Sequence, residues 1–342
     1  MIDTNVGNPK LIYENIINTF KLPISDIFNG NIQDLSNLNY QKEYLKEYDD
    51  LIRYYYNNIK NTPLSQTDYI IPSQGSLGAY YSVCWALKEL MNKNNFEPLK
   101  IFHINKPPTY NVHSSISKMI PYCEYKVNGL NSNLDYQQNC DLGVIISPNN
   151  PTGEIINERF GKFQVIDAVY DTPIFTNSFK ELNTKFSDNE IYLGSFSKLG
   201  VPSYRFGWAI TNNPMIASKA WEYNKLHNLG MIIPSYKFCE NLVYNIFDKN
   251  SYSYLADKSF QILLKRRREI YDLLSSKNIK NLNKDIYAPY ILLPISQKYF
   301  QSIGVDTRPG EDFFISNQYS RINLMMASND YTQMIKILKT NL

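Results

Sequence analysis

Short apolar runs recur through the first two-thirds of the chain, and between them apolar residues return every three or four positions. Tyr69-Ile70-Ile71, Leu99 to Ile104, Leu142 to Ile146, Gln164 to Ile166, Ile191 to Leu193 and Trp208 to Thr211 are too short for buried helices. They are rich in β-branched and aromatic residues, so they predict strands. Helical spacing predicts helices over Leu11 to Phe20, Tyr40 to Ile59, Ala79 to Met91 and Ser114 to Met119. In the second of these, Leu45, Tyr48, Leu51, Ile52 and Tyr55 share a face, so most of its tyrosines are expected to pack. Apolar strands that alternate with helices need cover on both faces. The pattern therefore predicts an α/β fold built on a mostly parallel sheet.

Beyond Leu229-Gly230 the pattern changes. One long helix is predicted from Ser253 to Ser275, with Leu263, Ile270 and Leu274 on its apolar face. Ile286 to Pro294 and Arg321 to Met325 read as strands, and Tyr331 to Leu338 as a closing helix. The expected organisation is a large domain over 39–230 and a smaller α+β lobe over 231–342, with an N-terminal segment, 1–38, belonging to the small lobe.

Composition narrows the class more than it names a function. The chain has 342 residues, 43% of them hydrophobic, which is enough for a sizeable core. A net charge of +3 is too small to point to nucleic acid or a membrane surface. Lys265-Arg266-Arg267-Arg268 lies inside the predicted long helix and reads as a solvated face. The four cysteines form no CxxC pair, so a reduced, cytoplasmic protein is expected. His103, His113 and His227 lie far apart and show no metal-ligand spacing. Neither an apolar signal core nor a run approaching ~18 apolar residues is present.

Candidate chemistry gathers at the carboxyl ends of the predicted strands, where open α/β sheets place their sites. After Tyr69 to Ile71 comes Pro72-Ser73-Gln74-Gly75-Ser76-Leu77-Gly78, a glycine turn leading into a helix. Free N–H groups at such a helix start form an anion cradle. After Leu142 to Ile146 comes Ser147-Pro148-Asn149-Asn150-Pro151-Thr152-Gly153, which taken alone is a good turn. Gln164 to Ile166 ends at Asp167, a residue that could equally cap a helix. The Ile191 to Leu193 strand leads into Ser195-Phe196-Ser197-Lys198-Leu199-Gly200-Val201-Pro202-Ser203-Tyr204-Arg205-Phe206-Gly207-Trp208. A single lysine in a loop is ordinarily solvated. Here it stands among hydroxyls with an arginine seven positions on, as suits an amine nucleophile beside an anion site.

In this fixed order, from Gly7 to Arg321, the motifs resemble those of the fold-type I pyridoxal-phosphate enzymes, the aspartate-aminotransferase superfamily. Ser147 to Gly153, Ser195 to Trp208 and Thr307-Arg308-Pro309-Gly310-Glu311-Asp312-Phe313 are similar to the alliinase and tryptophan-aminotransferase-related branch. The resemblance implies a seven-stranded-type sheet, pyridoxal 5'-phosphate as cofactor and a homodimer. It also implies an aminotransferase that takes an L-α-amino acid and a 2-oxo acid. A β-eliminating lyase, decarboxylase or cyclase of the same fold is the alternative.

The resemblance assigns roles to particular residues. Lys198 would join the cofactor through a Schiff base and shuttle the Cα proton. Asp167 would face the pyridine nitrogen, where a charge pair at ~2.8 Å with effective ε near 20 is worth ~6 kcal/mol before desolvation. Tyr170 and Asn150 would share the phenolic oxygen, and Tyr110 would stack on the ring unless it is a core tyrosine. Gly75, Ser76, Leu77, Ser195 and Arg205 would hold the phosphate, the arginine through its planar fork. Arg321, with Asn150 and Gly7, would bind the substrate carboxylate. Tyr40 or Tyr44 would reach a neighbouring subunit's phosphate. Base rates favour a trans Asn150–Pro151 bond unless the resemblance holds.

The chain also departs from the family. Ser203 stands where many relatives carry glycine, and the Lys198-to-Arg205 spacing is one residue shorter than in the alliinase-like branch. His113 stands where relatives often carry tyrosine, a position that bears on substrate contacts.

Overall fold

The computed structural model describes residues 1–5, 7–20, 42–91, 97–176, 187–200, 205–227, 236, 239–240, 242–246, 249–279 and 288–342. Twelve strands are described. They are β1 (Ile2–Asp3), β2 (Tyr69–Gln74), β3 (Leu99–His103), β4 (Cys123–Val127), β5 (Leu142–Ile146) and β6 (Phe163–Asp167). The others are β7 (Glu190–Ser195), β8 (Phe206–Thr211), β9 (Tyr290–Leu293), β10 (Val305–Asp306), β11 (Arg308–Pro309) and β12 (Ser320–Asn323).

Seven strands form the central sheet in the order β2-β8-β7-β6-β5-β3-β4. Its pairings are parallel except those of β8, which runs antiparallel to both β2 and β7. The expected mostly parallel, seven-stranded α/β sheet is the one observed. Its β-branched strands are buried on both sides, and alternate side chains enter different cores. Val165, Ile191, Leu193 and Ala209 join one core with the helices Gly75–Leu90 and Pro214–His227. Ile166, Tyr192, Trp208 and Ile210 join the other, with the helices Lys42–Tyr54 and Lys249–Ser276. The period of two along each strand thus produces the helical cover on both faces.

The remaining strands form two smaller pieces. β9 and β11 flank β12 in an antiparallel three-stranded sheet, and β1 pairs in parallel with β10. Through that pairing the N-terminus is tied to the C-terminal part of the chain, Ile2 opposite Val305 and Asp3 opposite Asp306. The chain then crosses toward the helix Lys10–Phe20, which packs Leu11, Ile12 and Ile16 into the larger core.

Two expectations need correction. Arg266 and Arg267 are not a solvated face, because each is only 4% exposed. Arg266 donates to the Leu324 and Met326 carbonyls at 2.7 Å each and stacks on Tyr331. Arg267 donates to the Ala288 carbonyl and, at 3.2 Å, to that of Tyr290. The physical reason is that strand ends leave carbonyls without ladder partners, and a guanidinium fork can satisfy two at once. Burial pulls the Arg266 guanidinium down to about 10. The second correction is that the cradle helix begins at Gly75 rather than Ala79, so the glycine turn is itself the first helical turn. β4, an edge strand of half-exposed Cys123, Glu124, Tyr125 and Lys126, carries too little apolar pattern to be read from sequence.

Candidate active site

A cavity of about 140 Å³ opens at the carboxyl ends of the central strands. Ser76, Leu77, Tyr110, Asn150, Asp167, Tyr170, Ser195, Lys198 and Arg205 all line it. Residues far apart in sequence therefore converge as the strand-end rule requires. Gly75, Gly7 and Arg321 stand immediately beside these, through the contacts described below.

The cradle is built from Gln74 to Leu77. Gln74, in the N-cap position of the helix Gly75–Leu90, makes no side-chain capping bond, so the first N–H groups are left to another acceptor. Gly75 has φ +76°, and a Cβ there would lie 2.6 Å from Arg205 Nη2. Only glycine accommodates that conformation and that arginine together. Arg205 is exposed and its guanidinium reaches Gln74 O at 3.5 Å. Ser195 lines the cavity, where its hydroxyl accepts from Ser197 N at 3.0 Å and lies 2.9 Å from the Phe206 carbonyl. Its one hydrogen is committed within the protein, and Ser197, also lining the cavity, joins the candidate anion donors.

At the floor, Asp167 ends β6, 4% exposed. Its Oδ1 accepts from Val169 N at 3.3 Å, a turn contact of the capping kind, while Oδ2 lies 3.2 Å from His113 Nε2. His113 is fully buried and does not line the cavity. It stands behind Asp167, edge-on to Tyr80 with ring centroids 4.7 Å apart. The expectation that it bears on substrate contacts is therefore corrected, because its ring packs between Tyr80 and Asp167 instead of facing the cavity. Nearby, burial and the neighbouring His113 hold the His103 imidazole down to about 3, so it stays neutral.

Asn150 and Tyr170 meet at the side of the cavity, Asn150 Nδ2 donating to Tyr170 Oη at 3.3 Å. The Asn150–Pro151 bond is cis. Asn149 is anchored by Thr109, which donates to its Oδ1 at 2.9 Å, and its amide donates to Thr152 at 2.8 Å. Tyr110 is held by Arg308, whose Nη2 donates to its hydroxyl at 2.9 Å, while Arg308 Nε pairs with Asp312 at 2.6 Å.

Above the cavity a strap of the N-terminal segment connects the two cations. Lys198 is half-buried and donates from Nζ to Gly7 O at 2.6 Å. Arg321 is 3% exposed, donating to Asn5 O at 2.7 Å and to Asn150 Oδ1 at 3.1 Å. Its Nε has no hydrogen-bond partner, and it makes no ion pair among the described residues. Its guanidinium stacks 4.0 Å over the ring of Tyr290, a residue no sequence pattern singled out. Tyr290 is fully buried, and its hydroxyl lies 2.8 Å from that of Tyr170. Only its place inside the predicted strand Ile286 to Pro294 could have drawn attention to it.

Tyr40, Ser203 and Val6 lie outside the described residues, and Tyr44 falls in the first turn of the helix Lys42–Tyr54. Among the described residues, no group of three or more His, Cys, Asp and Glu is arranged to hold a metal ion. No helix among them is long and apolar enough to cross a membrane.

This fold is shared with solved aminotransferases. An aminotransferase from Mycobacterium tuberculosis superposes with a TM-score of 0.72 at 16% identity, covering 99% of this chain and 91% of that one. One from Staphylococcus aureus gives 0.71 at 16%, covering 99% and 93%. The kynurenine aminotransferase from Pyrococcus horikoshii, solved in complex with PMP, gives 0.70 at 16%, covering 99% and 89%. The architecture and site define an enzyme of the fold-type I pyridoxal-phosphate superfamily. Within it the chain belongs to the alliinase family, whose C-terminal model (Allinase) matches residues 3–288. No curated protein sequence matches it.

Proposed function

We propose that the protein is a pyridoxal 5'-phosphate-dependent aminotransferase that moves the amino group of an L-α-amino acid to a 2-oxo acid. The observation that carries this reading is a buried arginine without a carboxylate partner, linked by one strap to a lysine. Arg321 holds Asn5 O and Lys198 holds Gly7 O, so an anion site and an amine stand two residues apart along one backbone. Such spacing suits an amino acid whose carboxylate meets the arginine while its Cα faces the lysine.

The residues fit the cofactor. The uncapped helix start at Gly75, Ser76 and Leu77, with Arg205 and Ser197, suits a phosphate. Buried Asp167 suits a ring nitrogen that carries a proton, and Asn150 with Tyr170 suits a phenolic oxygen. When bound, the cofactor supplies an electron sink for charge developing at Cα. The chain does the rest: Arg321 binds and orients the carboxylate, and Lys198 removes and returns the Cα proton. His113 braces Asp167 from behind, and Tyr110, fixed by Arg308, closes one wall of the cavity.

One prediction concerns the cradle. In Gly75→Ala, the new Cβ meets Arg205 in a left-handed conformation that costs ~1–2 kcal/mol for a side chain. Cofactor affinity should fall ~10-fold or more, read by titrating the protein with pyridoxal phosphate and following its visible absorption. An unchanged affinity would remove the helix start from the phosphate site.

The alliinase family match favours a second reading, a lyase that eliminates a group from Cβ through the same lysine and arginine. A single-turnover screen of amino donors decides between the two readings. Aminotransfer converts the cofactor spectrum to that of its amine form and releases a 2-oxo acid. Elimination releases ammonia and a 2-oxo acid while the starting spectrum returns. A protein that takes up no added cofactor sinks both.

A further inference from the structure

Tyr290 opens β9 opposite Asn323 of β12 and enters the site from the side facing the strap. Its hydroxyl, its ring and its backbone carbonyl are each held by neighbours. The hydroxyl lies 2.8 Å from that of Tyr170 and takes a hydrogen bond and the charge of Lys198. A Cβ on Gly7 would fall 2.4 Å from this oxygen and 3.0 Å from Lys198 Nζ, so glycine in the strap is what admits both groups. The Arg321 guanidinium covers the ring at 4.0 Å, and Arg267 holds the Tyr290 carbonyl at 3.2 Å. The groups facing Tyr290 are therefore Lys198 from the turn after β7, Tyr170 from beyond β6, Arg321 from β12 and Arg267 from the helix Lys249–Ser276.

We propose that Tyr290 is a positioning residue for the proton of Lys198, holding the proton that Lys198 must shed before its amine can attack the substrate Cα–H bond. This rests on the reading of Lys198 as the base of the site. The exchange is internal and balanced: the ammonium of Lys198 passes one proton to the phenolate oxygen of Tyr290, leaving a neutral amine and a neutral phenol. The reverse transfer restores both charges, and no proton enters or leaves the pair.

The electrostatics of the two tyrosines support that division of labour. Burial raises Tyr290, but the charge of Lys198, that of Arg321 and the hydrogen bonds from Tyr170 and Lys198 outweigh it and bring the phenol below its ordinary value. Burial first, and then Tyr290, push Tyr170 well upward. Tyr170 therefore stays the protonated donor, and Tyr290 is the oxygen able to accept.

The test begins with tyrosine labelled with carbon-13 at Cζ in the full-length protein, with Tyr290→Phe identifying the signal by its loss. The expected result is a phenol that titrates below the ordinary tyrosine range. In Lys198→Met, which removes the ammonium beside it, the midpoint should move upward. A signal at the ordinary value, or one whose midpoint ignores Lys198→Met, overturns the proposal.

A second measurement uses the cofactor-loaded enzyme. Tyr290→Phe, which keeps the ring under Arg321, should displace the pH midpoint of the visible absorption and slow Cα-proton exchange ~10-fold or more. A purely structural role would lower the melting temperature without moving that midpoint, and that outcome also overturns the proposal. Failure of the wild type to take up cofactor would sink the functional reading, while the labelled-tyrosine titration would still decide the pairing.

Discussion

Lys198→Ala should lose all cofactor attachment that borohydride can fix and slow Cα-proton transfer by at least ~10²–10⁴-fold, the range for removing a positioned acid–base group. The loss should be larger where covalent attachment also matters. Folding should survive the change. Lys198 is half-buried, and its hydrogen bonds run to the Gly7 carbonyl and the Tyr290 hydroxyl at the site rather than into the apolar core. The melting temperature is thus expected to stay within a few degrees of the wild type while activity collapses.

No other lysine is expected to take its place. Lys60 is buried, but it lies 2.9 Å from Asp171 in an ion pair and stacks near Tyr56, which commits its charge to structure. Mass spectrometry after borohydride treatment checks the site directly. The mass of the reduced adduct should fall on the peptide containing Ser195 to Gly200 and vanish in the variant. Label on any other lysine would overturn the assignment.

The central sheet was legible because every strand that carries the cavity is apolar over consecutive residues and is followed by a small or polar turn. β5 is fully buried from Leu142 to Ile146, and its sequence says so without help from spacing. The residues that line the cavity were legible for a related reason. Strand-end turns must use glycine, asparagine, serine and proline, and those types expose the few charged residues among them.

What sequence left hidden depends on packing between distant elements. Tyr290 is one tyrosine among 28, and its importance comes from meeting Tyr170, Lys198 and Arg321, each on a different element. Arg266 and Arg267 follow the same logic. A run of four basic residues on a helix is ordinarily solvated, and only the carbonyls at the ends of β9 and β12 draw these two inward. His113 likewise shows no local pattern that separates a cavity residue from one bracing Asp167 from behind. The strap is hidden in sequence because Asn5 and Gly7 act through backbone carbonyls, which no side-chain pattern encodes.

Arg321→Ala should weaken binding of the amino-acid substrate by ~2–5 kcal/mol, or ~30- to ~5,000-fold in Kd, the scale for removing one partner of a buried charge pair. The figure is large because the site prepares the charge without neutralising it. The residue is 3% exposed, its guanidinium donates to the neutral oxygens of Asn5 and Asn150, and its Nε is unpartnered. A carboxylate arriving there meets a fork already desolvated and already oriented, so little further ordering is required on binding.

Arg308 cannot take over, because Asp312 holds it at 2.6 Å and Tyr110 engages its other end. Arg321→Lys should fall between the wild type and alanine, since an ammonium keeps the charge but not the planar pair of donors. Cofactor affinity offers the control. Arg321 is not among the residues lining the cavity, so pyridoxal-phosphate binding should change little in either variant. An alanine variant that binds both cofactor and amino acid as the wild type does would place the carboxylate elsewhere. One that loses both would mean that Asn150, released from Arg321, can no longer hold its position beside Tyr170.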